Sequence, residues 1–382
     1  MPRTNADSWR RIAIALAVLL VVAAGSGLVA AQSDADAGEE LVDVSGWTAV
    51  ALLLVGTVVL MVSIELLIHA LVRTAVRFGV SAFLLAVIFS GWEFDNVAFG
   101  AFTGFRELQN VAFGLAIGNA ISIFGLTLAL GAIAFPFATD VPDDYVVLTA
   151  AAPLLLTPVI VAGTLTPALS VMFLLLYAVI FAYVVQRERR LDRSFVQSDE
   201  VKEAVAAPDG QRDARLDLPE PVRRLARRDW FWPLLLVVAV VGIVLGAEGS
   251  ATGVEGIVET WELSGTFVGV TFITILYTID DLLLIVEPLR LGYHEVAVGG
   301  VMGSLLFFVT ANVGIVGLLG EIEFRPETVF VHFPVLVGFA GLAGYMLWRG
   351  RLTRKHGALL LGLYVLYILV NVQFFATVPL GE

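Results

Sequence analysis

Ten apolar stretches, each long enough to cross a bilayer and separated by polar segments, constrain the fold of this chain more than any other feature. They run approximately over 47–71, 79–102, 109–136, 144–164, 166–186, 230–248, 264–286, 294–319, 328–348 and 356–377. An α-helix needs about 20 apolar residues to cross the hydrocarbon core of a bilayer. Only 15% of the residues are charged and 58% are hydrophobic, whereas about a quarter of a soluble domain is charged. The sequence therefore predicts an all-α, multi-pass membrane protein with ten transmembrane helices.

The N-terminal segment 1–31 is typical of a signal peptide. Arg3, Arg10 and Arg11 precede an apolar run over 12–24, and small residues follow at 29–31. A positive segment, an apolar segment and a small-residue cleavage point form the usual secretory pattern. We expect cleavage near position 31, and an uncleaved signal anchor is the alternative.

One long hydrophilic segment, 187–229, separates the fifth and sixth spans. Four arginines lie near each of its ends, at 187, 189, 190, 193, 223, 224, 227 and 228. Positive residues that flank spans mark the cytoplasmic side. We therefore expect a cell-membrane protein with its mature N-terminus outside and the 187–229 loop in the cytoplasm. The loop divides the chain into halves over 47–186 and 230–377.

The two halves show the signature of an internal duplication. The sequence "VAFGLAIGN" at 111–119 matches "VAVGGVMGS" at 296–304. We call the shift that places position 111 on position 296 the repeat offset. Because five spans is an odd number, the second copy would enter the membrane from the opposite side. Two inverted copies with a binding site between them are typical of secondary transporters.

Acidic and amide side chains interrupt the second and seventh spans at positions related by the repeat offset. The segment "GWEFDN" at 91–96 contains Glu93, Asp95 and Asn96, and "LYTIDD" at 276–281 contains Asp280 and Asp281. An acidic side chain at the centre of a membrane helix costs about 2.5–3.5 kcal/mol on insertion scales. Inverted packing would gather these groups at the midplane, where they could bind a hard cation or carry a proton. A structural role is the remaining alternative.

Other polar residues lie near this predicted cluster. Asn119 and Ser304 follow the second glycines of two G-x-x-x-G motifs, and Thr278 precedes the acidic pair. Such motifs most often mean close helix packing, which would also let Asn119 and Ser304 reach the cluster. Glu65 and His69 share one helical face, being at positions i and i+4. They could form a gate or a proton relay, or simply bond to each other.

These motifs resemble those of the cation/calcium exchanger superfamily, the sodium/calcium antiporters. Proteins of that superfamily have ten spans in two inverted halves, each with G-T-S-x-P-E and, after a spacer, G-N-x-x-G-S-N. Here "GWEFDN" and "LYTIDD" occupy the first position, and "GLAIGNA" and "GGVMGSL" occupy the second. The resemblance covers most of the segment 47–319.

The resemblance implies a conserved scaffold with a changed set of ligands. The family's ion-binding Glu falls on Asn96 and Asp281, and the preceding Pro falls on Asp95 and Asp280. The Ser of G-S-N falls on Asn119 and Ser304, while the last Asn or Asp falls on apolar residues at 123 and 308.

We therefore expect a secondary antiporter that exchanges Ca²⁺ for Na⁺. The expected metal ligands are Asp280, Asp281, Asp95 and Glu93, and Asn96, Asn119, Thr278 and Ser304 would complete the cation site. The expected partners are the lipid bilayer and the transported inorganic cations, with no cofactor, no enzymatic activity and no nucleic acid. The alternatives are a proton-coupled exchanger of Na⁺ or another metal cation, and a non-transporting sensor or assembly protein with the same fold.

Overall fold

The computed structural model describes residues 45–77, 93–191 and 231–376. The predicted signal peptide, most of the 187–229 loop and the first part of the second span lie outside these ranges. Within them the chain is almost entirely helical, as predicted. By length and composition, eight helical stretches of the described residues could cross a membrane, and a shorter apolar helix covers Gly265–Ile279.

Fourteen α-helices and four two-residue strands make up the described chain. In chain order the helices are α1 (Gly46–Arg77), α2 (Phe94–Phe105), α3 (Gln109–Ser122), α4 (Ala129–Ala134), α5 (Asp143–Ala151), α6 (Thr157–Ala162), α7 (Pro167–Leu191), α8 (Phe231–Thr260), α9 (Gly265–Val268), α10 (Thr274–Leu291), α11 (His294–Phe307), α12 (Val313–Leu318), α13 (Phe333–Trp348) and α14 (Arg354–Phe374). The strands are β1 (Phe137–Ala138), β2 (Thr164–Leu165), β3 (Ile322–Glu323) and β4 (Arg351–Leu352).

Several of these helices continue into one another through turns of a different pitch. The π-helical turns are Ile123–Leu128, Gly269–Ile273, Phe308–Asn312 and Thr328–His332, and a 3₁₀ turn covers Ala152–Leu156. A π-turn changes the direction in which all later side chains of a helix point, and such turns are frequent at functional sites.

The bounds of the elements recur along the chain at the repeat offset seen in the sequence. Helix α3 covers 109–122 and α11 covers 294–307, so the repeat offset relates both their first and their last residues. Strands β1 and β3, at 137–138 and 322–323, are related in the same way. The strands pair antiparallel as β1 with β4 and β2 with β3, so each small sheet joins one strand from each half.

The described chain divides into two compact units, and the first contains helices α1 and α8. A Cβ atom on Gly56 would lie 2.4 Å from the backbone nitrogen of Ser250, and one on Gly246 would lie 2.5 Å from that of Leu60. Glycine at these positions lets the two backbones touch, which is how helices associate in lipid. Helix α8 continues to Thr260, beyond the end predicted at 248, and the close contact continues with it, since a Cβ on Gly253 would lie 2.4 Å from the backbone nitrogen of Leu53.

The second unit contains the remaining helices, and glycines bring α3 against the segment 265–274. A Cβ on Gly114 would lie 2.7 Å from the carbonyl oxygen of Thr266, and one on Gly118 would lie 2.1 Å from Thr274 Oγ1. The G-x-x-x-G motif of the first half therefore serves close packing. This contact also determines which polar side chains of α3 and α10 can meet.

Candidate functional site

Three predicted site residues of the first half form a directed chain of hydrogen bonds. The Asn119 amide nitrogen donates to Asn96 Oδ1 at 2.7 Å, and the Asn96 amide nitrogen donates to Asp95 Oδ1 at 3.3 Å. All three side chains are buried. Asp95 and Asn96 lie in the first turn of α2, and Asn119 lies on α3. The chain of amides therefore ends on a carboxylate, whose negative charge favours this direction of donation.

Asn119 also has an acceptor that is not satisfied. Its Oδ1 atom is buried and has no hydrogen-bond partner among the described residues. A buried amide oxygen without a partner costs free energy, because it loses water and gains nothing in return. In a helix that is apolar and long enough to cross a membrane, this oxygen is suited to bind a ligand that carries positive charge or a proton.

A second contact joins the two halves of the chain. Ser122 Oγ and Thr278 Oγ1 lie 2.8 Å apart, and both side chains are buried. Ser122 is one turn beyond Gly118, and Thr278 is one turn beyond Thr274, so the close contact at Gly118 brings these hydroxyls together. Ser122 was not among the predicted site residues, although its position at i+3 from Asn119 places both on one face of α3.

Glu93 provides another contact between the halves. It occupies the N-cap position of α2, and its Oε1 accepts a hydrogen bond from Ser304 Oγ of α11 at 2.5 Å. Glu93 and Ser304 are both predicted site residues, and the structure brings them together from opposite halves of the chain.

The acidic pair of the second half lies on α10, just beyond Thr278. The Asp281 side chain is buried. Asp280 is part of the same helix, but its side chain lies outside the described residues. The predicted gate residues lie on α1 in the other unit, where Glu65 is exposed and the His69 side chain is not described.

The described side chains include no group of three or more acidic, histidine or cysteine residues close enough to hold a metal ion. The polar contacts instead combine carboxylates with amide and hydroxyl oxygens. Hard cations such as Ca²⁺ accept carboxylate and amide oxygens, as well as water, as ligands. These contacts therefore contain both charged and neutral oxygens of the kinds that can bind a cation, a mixed ligand set.

Comparisons with known proteins found a family, relatives and solved structures to which this chain is similar. The profile of the family described as "Sodium/calcium exchanger protein" matches residues 231–373. Inner membrane protein YrbG of Escherichia coli (strain K12) is 24% identical over 330 residues, which cover 84% of this chain and 95% of that protein. Sodium/calcium exchanger MaX1 of Methanosarcina acetivorans is 24% identical over 136 residues, covering 35% of this chain and 39% of that protein.

A solved structure shows the same fold. It is that of the sodium-calcium exchanger NCX_Mj soaked with zero Na⁺ and Ca²⁺, and it superposes on this chain with a TM-score of 0.51. The two sequences are 19% identical, and the match covers 84% of this chain and 98% of the other.

Proposed function

From the match of residues 231–373 to the sodium/calcium exchanger family and the similarity to the relatives above, we propose that this chain belongs to the cation/calcium exchanger superfamily and is a secondary cation antiporter. It would exchange Ca²⁺ for Na⁺ by alternating access to a site at the midplane of the cell membrane. The halves 47–186 and 230–377 would form an inverted repeat of ten spans, and the elements that recur at the repeat offset support this arrangement. The mature N-terminus would lie outside and the 187–229 loop in the cytoplasm.

The observation that carries this proposal is the buried chain from Asn119 through Asn96 to Asp95, with Asn119 Oδ1 unpartnered among the described residues. A membrane protein with no use for a cation would not be expected to retain a carboxylate and an open amide oxygen at one buried place, because both are costly in lipid. A bound cation would give the Asn119 oxygen a partner and would be attracted by the Asp95 carboxylate.

We assign the charges of the site to Glu93, Asp95, Asp280 and Asp281. Neutral oxygens would come from Asn96, Asn119, Thr278 and Ser304. Coupling would follow from competition, because two monovalent ions neutralise the same carboxylates as one divalent ion. Glu65 and His69 remain predicted as a gate or proton relay.

The decisive experiment measures exchange by the purified full chain in liposomes. Vesicles loaded with Na⁺ would be diluted into Na⁺-free buffer, and uptake of radioactive Ca²⁺ would be followed. We expect uptake that requires the outward Na⁺ gradient and that Asp281→Asn abolishes. The matched control is Asp144→Asn, which also removes one negative charge but lies in an ion pair with Arg187 (2.8 Å) outside the candidate site.

Absence of uptake by protein that shows a cooperative thermal unfolding transition, and is therefore folded, would refute calcium exchange. Loss of uptake in both aspartate variants would mean that general charge, rather than the site, is responsible. A chain that folds only with Asp281 intact would point to a structural role for this carboxylate.

A second candidate is a proton-coupled exchanger of Na⁺ or another metal cation. The mixed ligand set favours it, because neutral amide and hydroxyl groups contact the carboxylates of Asp95 and Glu93 and neutral ligands suit a monovalent cation. Uptake of radioactive Na⁺ driven by a pH gradient, with no Ca²⁺ uptake, would establish this alternative.

A further inference from the structure

Asn312 is a buried asparagine with no role in the hydrogen bonds of the candidate site. It ends the π-helical turn Phe308–Asn312, and only 1% of its surface is exposed. Neither its amide nitrogen nor its amide oxygen has a hydrogen-bond partner among the described residues. An amide that is buried in an apolar environment without a hydrogen-bond partner destabilises the folded state. A leucine of similar size would fill the same space without that cost.

Ideal helix geometry, with the π-helical turn included, places Asn312 on the same side of its helix as Ser304. An α-helix rotates by about 100° per residue, so an α-helical path from Ser304 would leave Asn312 roughly 80° around the helix. A π-turn is wider, so each of its residues advances by a smaller angle about the axis. Its five residues together reduce the total rotation between Ser304 and Asn312 by roughly 90°. Asn312 therefore returns to the face of Ser304, whose hydroxyl donates to Glu93.

Contacts with α2 support this placement. A Cβ on Gly100 would lie 4.0 Å from Asn312 Oδ1. Gly100 is one helical turn beyond Asn96, which is about 6 Å along the axis. The same Cβ would lie 3.3 Å from a methyl group of Val316, so the absence of a side chain at Gly100 is what lets α2 pack closely beside Asn312.

The other half of the chain repeats the arrangement. Thr127 lies in the π-helical turn Ile123–Leu128, and the repeat offset places it on Asn312. It is fully buried, and its Oγ1 also has no partner among the described residues. Each of these two equivalent π-turns therefore contains a buried polar side-chain atom with no hydrogen-bond partner among the described residues. This repetition indicates a common function.

We propose that Asn312 forms a further cation-binding position, one turn of α2 away from Asn96. Its Oδ1 would coordinate a partly hydrated Na⁺ or Ca²⁺ that enters or leaves the central site, and its amide nitrogen would donate to a water that the ion retains. This proposal rests on the proposed cation transport. It adds a neutral ligand at a distance from the carboxylates.

The test measures equilibrium binding of radioactive Ca²⁺ to the purified full chain, with Na⁺ as competitor in a second arm. Asn312→Leu should weaken Ca²⁺ binding about tenfold, because it removes the oxygen and keeps the volume. Asn312→Asp should strengthen Ca²⁺ binding relative to Na⁺, because it adds a charge. The matched control is Asn371→Leu, since Asn371 is a fully buried asparagine of α14 with an unpartnered Oδ1 and has no hydrogen bond to the candidate site in the described structure.

The outcomes separate this proposal from the proposed function. If the wild type binds neither ion, the transport proposal and this one both fail. If Asp281→Asn abolishes binding while Asn312→Leu and Asn312→Asp bind as the wild type does, only the role of Asn312 is refuted. A change in thermal stability without a change in affinity would overturn it too, by identifying Asn312 as a site for a structural water. If Asn312→Leu fails to fold, the test rests on Asn312→Asp. Stronger Ca²⁺ binding relative to Na⁺ then supports the proposal, and unchanged selectivity refutes it.

Discussion

Replacing Gly269 with alanine tests the helix contact on which the geometry of the site depends. A Cβ on Gly269 would lie 2.2 Å from the carbonyl oxygen of Val111 and 2.8 Å from the backbone nitrogen of Leu115. Both are backbone atoms of α3, so no side-chain rotation can relieve the overlap. Ordinary contact begins at 3.4 Å, and the two segments would have to separate by about 1 Å to reach it.

The expected loss of stability follows from that separation. Overpacking of a close contact costs about 1–3 kcal/mol and occasionally more. We expect the upper end for Gly269→Ala, because the contact is with backbone. The matched control is Gly300→Ala, where the new Cβ would meet nothing within 4 Å and where alanine gains up to about 1 kcal/mol of helix propensity.

Thermal unfolding of the purified proteins in detergent, followed by tryptophan fluorescence, measures the difference. An unfolding entropy of about 2.1 cal/mol/K per residue over 382 residues corresponds to about 1.2 °C per kcal/mol, so Gly269→Ala should unfold roughly 3–4 °C below the wild type, and Gly300→Ala should not. Exchange in liposomes should also fall for Gly269→Ala, because separation of α3 from α10 lengthens the contact between Ser122 and Thr278. Equal unfolding temperatures for the two variants would refute the close approach of α3 to residue 269.

Three further results are expected. A double-mutant cycle with Ser122→Ala and Thr278→Val should give a coupling free energy of about 0.5–1.5 kcal/mol in unfolding measurements, and zero coupling would contradict their hydrogen bond. Asn119→Leu should lower the rate of Ca²⁺ uptake at least about tenfold, since it removes the donor to Asn96 and the open oxygen, and wild-type uptake would exclude Asn119 from the site. Gly56→Ala should lower the unfolding temperature, because its Cβ would lie 2.4 Å from the backbone nitrogen of Ser250; an unchanged temperature would argue against the packing of α1 on α8.

The spans and their repetition could be predicted because they depend on local features of the sequence. The third predicted span, 109–136, corresponds to the helical stretch Gln109–Ala134, and the ninth, 328–348, corresponds to Thr328–Trp348. Length and apolar composition suffice for such predictions. The repeat offset was visible in the same way, since equivalent helices keep equivalent small and polar residues.

The partners of the polar side chains could not be predicted from the sequence. The pattern predicted a cluster of Glu93, Asp95, Asn96, Asn119, Thr278, Asp280, Asp281 and Ser304, but it did not indicate which of them would bond to which. It also missed Ser122, whose contact with Thr278 depends on how closely α3 approaches α10.

By itself, then, the sequence determined a helical membrane protein with two related halves and polar residues at equivalent places. Only the tertiary structure decided that Asn119 donates to Asn96, that Ser304 donates to Glu93 and that Asn312 is buried with no partner among the described residues. The physical reason is that contacts across helices depend on the rotation of each helix about its axis. That rotation is changed by π-turns and by the depth of glycine contacts, and neither is encoded in apolar periodicity.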